Sequence, residues 1–176
     1  MYDREKFKAL VHYICWRCGD DPAKLGAVKL NKALWLSDFR SFYSDGEPIT
    51  GARYVKRQYG PVPSPVRPVL EELEQEGILT SRDSSFHGFR KKEFIVHKPL
   101  EPNPFSKREL AIVDEVITFV CEQNTAQTIS DLSHDDVWKV AEDGEQIPYA
   151  TVFSRPGQIT DDDREWARLE LESFAA

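Results

Sequence analysis

The stretch from Val28 to Val62, VKLNKALWLSDFRSFYSDGEPITGARYVKRQYGPV, constrains the chain most, because its first half is an amphipathic helix with two polar side chains inside its apolar face. At about 100° per residue, Leu30, Leu34, Ala27, Asp38, Asn31, Phe42, Trp35, Val28 and Phe39 fall on one continuous arc, while Lys32, Lys29, Arg40, Ser44 and Ser37 fill most of the opposite side. Asn31 and Asp38 are two turns apart on the side that faces a core. A buried, unpaired amide or carboxylate costs several kcal/mol, so each requires a partner.

The residues that follow suggest where partners come from. Asp45-Gly46-Glu47-Pro48 is a stop and turn signal, and Ile49-Thr50-Gly51 leads into Arg53, Tyr54, Lys56, Arg57 and Tyr59 before the rigid Gly60-Pro61-Val62-Pro63. Tyrosine hydroxyls and guanidinium groups are the donors a buried carboxylate needs. The plain reading is structural: Asn31 and Asp38 pin this loop to the helix, as buried polar groups are usually satisfied internally. A catalytic Asp38 lacks a second acid, nucleophile or metal ligand at useful spacing.

Elsewhere the chain reads as mainly α, an α+β arrangement in one compact helical domain over residues 1–153. Residues 3–17 place Phe7, Leu10, Val11, Ile14, Cys15 and Cys18 at helical spacing. Pro63 and Pro65 open a third helix with the stripe Val66, Val69, Leu70 and Leu73, which Gly77 stops. That completes a helical part, 1–77. Ile78–Ser81 and Glu93–His97 are β-prone and form an antiparallel hairpin spanning 78–97. A helix followed by a hairpin with a basic tip is also how a winged-helix segment ends. After the proline-stiffened connector 98–104, Ser106 and Glu109 form a capping box that opens a second helical part, 105–153. There Ser130 and Ser133 are candidate caps of short helical turns. Thr160 caps a last helix within 154–176, which either docks on the domain or faces a partner.

Composition narrows the class further. A hydrophobic share of 40% and a charged share of 30% over 176 residues suit a globular protein that buries its own core. No apolar run reaches the 18 or so residues of a membrane span, and MYDREKFKAL reads as an amphipathic helix rather than a secretion signal. A cytoplasmic protein without membrane partners is expected. The net charge of −7 is uneven, with the cations concentrated in the first hundred residues and the acids in the rest, a pattern that bears on partner choice. Cys15-Trp16-Arg17-Cys18 has the CxxC form of half a zinc site or a redox pair. Without a second CxxC, a close histidine pair or a preceding strand, these cysteines and Cys121 read as packing residues. No metal, cofactor or catalytic residue is expected.

The runs KLNKALWLSDF and GEPITGARYVKRQYGPVP, continued in EELEQEGIL and ISDLSHDDVWKVAEDGEQIPY, together resemble the Panacea domain, also described as the SocA-like antitoxin domain, in the family's order from residue 5 to residue 150. The resemblance implies a neutralising partner of a protein toxin in a two-component toxin–antitoxin system. The structural motif read from the residues comprises Asn31, Asp38, Tyr54, Gly60 and Pro61, and the resemblance adds Ser133, His134 and Trp138. Ser133-His134-Asp135 holds the residue types of a hydrolase triad, but sequence neighbours do not assemble one. The resemblance assigns the pair to structure.

Three functions follow as expectations. A toxin-neutralising protein binds through a few anchors, for which the exposed members of Lys29, Lys32, Arg53, Lys56, Arg57 and Tyr59 are the candidates; it either occludes the toxin or delivers it to an intracellular protease. A DNA-binding regulator uses the hairpin as a wing, with Arg90, Lys91 and Lys92 on phosphate, against the acids Glu71, Glu72, Glu74 and Glu76 of the preceding helix. An enzyme is the third, and no phosphate loop, nucleophile elbow or metal box supports it.

Overall fold

The computed structural model describes residues 1–21, 24–86, 89–101 and 103–153. The expected C-terminal helix therefore lies outside the described residues, as do His87 and Gly88 of the hairpin turn. The first helix, α1, runs Arg4–Arg17 and begins at Asp3, whose side chain accepts from the Lys6 amide. The second, α2, runs Ala27–Asp45 and ends where Gly46 enters the left-handed region at φ 78°, its N–H donating to Phe42 O. A side chain pays a steric penalty there, so the Asp45-Gly46 stop signal acts as expected.

Next comes a tight hairpin that the sequence did not announce. Strand β1, Tyr54–Arg57, pairs antiparallel with β2, Gly60–Pro63, in the register Tyr54↔Pro63 to Arg57↔Gly60. Prolines demote a segment as a strand because they cannot donate to a ladder; here Pro61 and Pro63 sit on a strand that pairs on one side only. Helix α3 is Val66–Gln75, with Pro65 as its N-cap, so Pro63 belongs to the strand rather than to the helix. The expected hairpin is present, with longer strands than expected: β3, Leu79–Phe86, pairs with β4, Phe89–Val96.

Helix α4, Lys107–Ile117, opens with the predicted capping box between Ser106 and Glu109 and runs on into a π-turn, Thr118–Glu122. Helix α5, Ala126–Leu132, is capped by Thr125, and α6, Asp136–Val140, by Asp135. Ser130 and Ser133 therefore do not cap helix starts. Ser130 lies within α5 and Ser133 closes its C-terminus, where its hydroxyl donates to Ser130 O at 2.7 Å. A short 3-10 turn, Tyr149–Phe153, follows.

Mainly helical, with two small antiparallel sheets, the fold centres on α2. That helix packs against α1, α4, α5, β2, β4, the π-turn and the 3-10 turn. Surrounded in this way, it buries not only Leu30, Ala33, Leu34 and Phe39 but also Lys32, Ser37, Asp38 and Ser41. Lys32 and Ser37, on the side that the sequence assigns to solvent, are thus covered, while Arg40 and Ser44 on that side stay exposed.

Candidate functional site

Asp38 is fully buried and held from three directions. The Thr50 amide donates to its Oδ1 at 2.7 Å, and the Thr50 hydroxyl donates to Oδ2 at 2.6 Å. The Tyr54 hydroxyl lies 2.8 Å from Oδ2 and 2.9 Å from Leu34 O, and the Tyr149 hydroxyl lies 3.2 Å from Oδ2 and 2.7 Å from Ala52 O. Each tyrosine has one proton and two acceptors in reach. If the acid carries its own proton, that proton can go to one tyrosine oxygen and both phenol protons are freed for the carbonyls. Burial works in the same direction: desolvation lifts the Asp38 carboxyl above its ordinary value against the pull of the hydrogen bonds from Thr50, Tyr54 and Tyr149.

This arrangement fixes the segment after α2 to the helix, the role expected of Asp38. The donors differ in part from those expected, because Thr50 and Tyr149 supply what the arginines were expected to offer. Asn31 does not take part. It is half-buried and lines a cleft of about 370 Å³ between α2, α3 and the β3–β4 hairpin, beside Val66, Leu70, Lys92 and Phe94.

The anchored segment continues as β1, which is also stitched along its other edge. Lys56 N donates to Glu145 O at 2.8 Å, Gly144 N to Lys56 O at 3.0 Å, and Ile147 N to Tyr54 O at 2.9 Å. Residues 144–147 thus flank β1 opposite β2. The same stitching delivers Tyr149 to the acid, although the two are 111 positions apart.

Gly60 opens β2 at φ 104°, a left-handed geometry that L side chains rarely adopt. A Cβ built on it would lie 1.8 Å from Lys32 Nζ and 2.5 Å from Ser133 Oγ. Lys32 therefore corrects the reading that placed it on the outer side and among the binding candidates. It is 1% exposed, covered by the β1–β2 turn and α5, and its Nζ has no hydrogen-bond partner among the described residues. The Trp35 ring centroid is 6.0 Å away. Burial pushes the Lys32 amine down to about 7.

The motif residues of the second helical part brace the same turn from outside. Ser130 Oγ donates to Tyr59 O at 3.1 Å, and Trp138 Nε1 donates to Arg57 O at 3.1 Å. The His134 ring stacks on Trp138 with centroids 3.7 Å apart, and Lys56 Nζ stands 4.3 Å above the same indole while donating to Ala141 O at 2.8 Å. Burial, then the charges of Lys32 and Lys56, hold the His134 imidazole below its ordinary value. Ser133 is buried and spends its hydroxyl proton on a backbone carbonyl, an inward-facing bond rather than that of a presented nucleophile.

The remaining binding candidates separate by exposure. Lys29 is half-buried with Nζ 3.0 Å from Cys121 O, and Lys56 is tied down as described. Arg53, Arg57 and Tyr59 face solvent, Tyr59 at 57% exposure, and Arg57 pairs with Asp143 at 2.8 Å. Close to the turn, α5 and α6 present Leu132 at 63% and Val140 at 83% exposure, residues the sequence reading did not select.

The basic run of the second hairpin lies along β4 rather than at a loop tip. Neighbours on a strand point to opposite faces: Lys92 is exposed, and Lys91 is half-buried with its stem against Gly26. Arg90 lies on β4 opposite Ser85. On α3, Glu71 and Glu74 are exposed, as is Glu76, its C-cap. Cys15, Cys18 and Cys121 are free and buried, with Cys18 Sγ 3.7 Å from Cys121 Sγ. Among the described residues no group of three metal-ligating side chains gathers, and no helix is long and apolar enough to cross a membrane.

Neither a curated protein nor a solved structure matches the chain. A family model described as "Antitoxin SocA-like, Panacea domain" matches residues 30–139. That span begins on α2, includes Lys32, Asp38 and the whole β1–β2 hairpin, and ends one residue after Trp138. Holding these elements in one braced arrangement, the chain belongs to the SocA-like Panacea-domain antitoxin family.

Proposed function

We propose that the protein is the antitoxin of a two-component toxin–antitoxin system and neutralises a protein toxin by direct binding through the outer face of the β1–β2 turn. Arg53, Arg57 and Tyr59 are the anchors, with Leu132 and Val140 as the apolar surround. The observation that carries this reading is Tyr59, an aromatic side chain held 57% exposed on a turn whose backbone is bonded to α5 and α6. A rigid turn that displays a large amphipathic ring and a guanidinium limits the ordering cost of binding, and such residues dominate interface energetics.

Co-expression with the product of the adjacent reading frame tests it. Growth arrested by that product alone should resume when this chain is present. Restored growth with an unchanged toxin level on immunoblot indicates occlusion, whereas restored growth with a falling level indicates hand-over to a protease. Arrest that persists despite folded protein contradicts the reading.

A further inference from the structure

Beneath the turn that carries Arg57 and Tyr59 lies a charged-residue type with no hydrogen-bond partner among the described residues. We propose that Lys32 is a proton-operated latch: the neutral amine fits under Gly60 and lets the turn close on α5, and the ammonium forces the turn away.

Both the space around the amine and the supply of hydrogen-bond partners favour its neutral form. Nζ lies 1.8 Å from where a Cβ on Gly60 would stand, so the amine fills the notch left by the missing side chain. An ammonium carries three donors and no acceptor, and none of those donors finds a partner among the described residues. The groups around it do not compensate. From α2 comes the Trp35 ring; from α5 come Ser130, whose proton goes to Tyr59 O, and Ser133, whose proton goes to Ser130 O. His134 follows α5, and Lys32 and Lys56 both disfavour its cation. Asp131 and Asp135 favour the His134 cation, and burial is what lowers the Lys32 amine.

A buried ammonium without a partner either loses its proton or moves to where it is solvated. Movement in this direction means displacing Gly60, and with it the bonds from Ser130 to Tyr59 O and from Trp138 to Arg57 O. The amine is held near 7, so the two states exchange across the neutral range. If the turn is the toxin-binding surface, toxin capture weakens in mild acid. That consequence rests on the antitoxin reading, and the latch itself does not.

The test uses the isolated full chain labelled with ¹³C and ¹⁵N and titrated from pH 9 to pH 6, with no toxin present. The expected result is a Lys32 ¹³Cε resonance with a midpoint near 7, accompanied by amide shifts at Tyr59, Gly60 and Ser133 with the same midpoint. In Lys32→Met those amide shifts should vanish. In His134→Gln, which keeps the lysine, they should persist. A Lys32 resonance that stays in its ammonium form throughout overturns the latch. So does turn movement that survives in Lys32→Met or disappears in His134→Gln, since either assigns it to the imidazole.

Discussion

Lys32 Nζ stands 1.8 Å from the point a Cβ of Gly60 would occupy, so the lysine and the glycine are one fitted pair joining α2 to the first hairpin. The pair accounts for the glycine at a position where φ is 104° and where Ser133 Oγ also crowds the notch.

Gly60→Ala should therefore destabilise the protein by about 3 kcal/mol, from left-handed strain of about 1–3 kcal/mol and the clash with the amine. Adding Lys32→Ala removes the clash with the amine but neither the strain nor the contact with Ser133. Urea denaturation of both single variants and the double variant should give a coupling of about 1 kcal/mol or more in the rescuing direction. Additive losses would show that the two residues do not meet.

Asp38→Asn should cost about 2 kcal/mol, since an amide brings two protons to a site already supplied with donors. Its pH signature is separate. A carboxyl raised in the folded state contributes stability that is complete below its unfolded value near 4 and is lost as pH rises through the folded value. Wild type should thus lose stability relative to Asp38→Asn as pH rises through that window. Thermal melts in buffers stepped upward from about pH 4 would show it.

For Lys32 the sign is opposite. With the folded amine at about 7 and the unfolded one near 10.4, the unfolded chain binds the extra proton between those values. Wild-type stability rises with pH through that range. Lys32→Met should be more stable than wild type at pH 7, by up to about 4 kcal/mol, with the gap closing toward pH 10. A constant gap would show that the amine is charged in the fold.

The thiols should be silent while the chain is folded. Cys15 is buried, and desolvation raises its thiol far above the ordinary value; Cys18 is raised as well, chiefly by its hydrogen bond to Cys121 and by burial, and Cys121, which that same bond lowers, is shielded from reagent by its own burial. Alkylation followed by intact-mass analysis should show almost no adduct on native protein, and three adducts after unfolding.

Asp38 was legible in the sequence because a carboxylate on the apolar arc of a helix admits few fates, and Tyr54 followed as a nearby donor. Tyr149 was not: its approach depends on residues 144–147 flanking β1, a pairing without a local signal. Lys32 was misread because helical periodicity reports which face is apolar, not whether the polar face is covered. Here α5 and the β1–β2 turn cover the part of that face that carries Lys32. Pro61 and Pro63 concealed the first hairpin by arguing against a strand, and Lys91 and Lys92 looked like one basic patch until β-strand alternation separated them. Helix ends carrying a glycine stop or a capping box, at Gly46 and Ser106, were legible because those signals are local.

In the proposed antitoxin function, the outer face of the braced turn grips a protein toxin. Isothermal titration of the purified product of the adjacent reading frame with wild type and with the Arg57→Ala, Tyr59→Ala double variant tests it most directly. A fall in affinity of about thirty-fold or more with an unchanged melting temperature is the expected result. Equal affinity for the two proteins would contradict it.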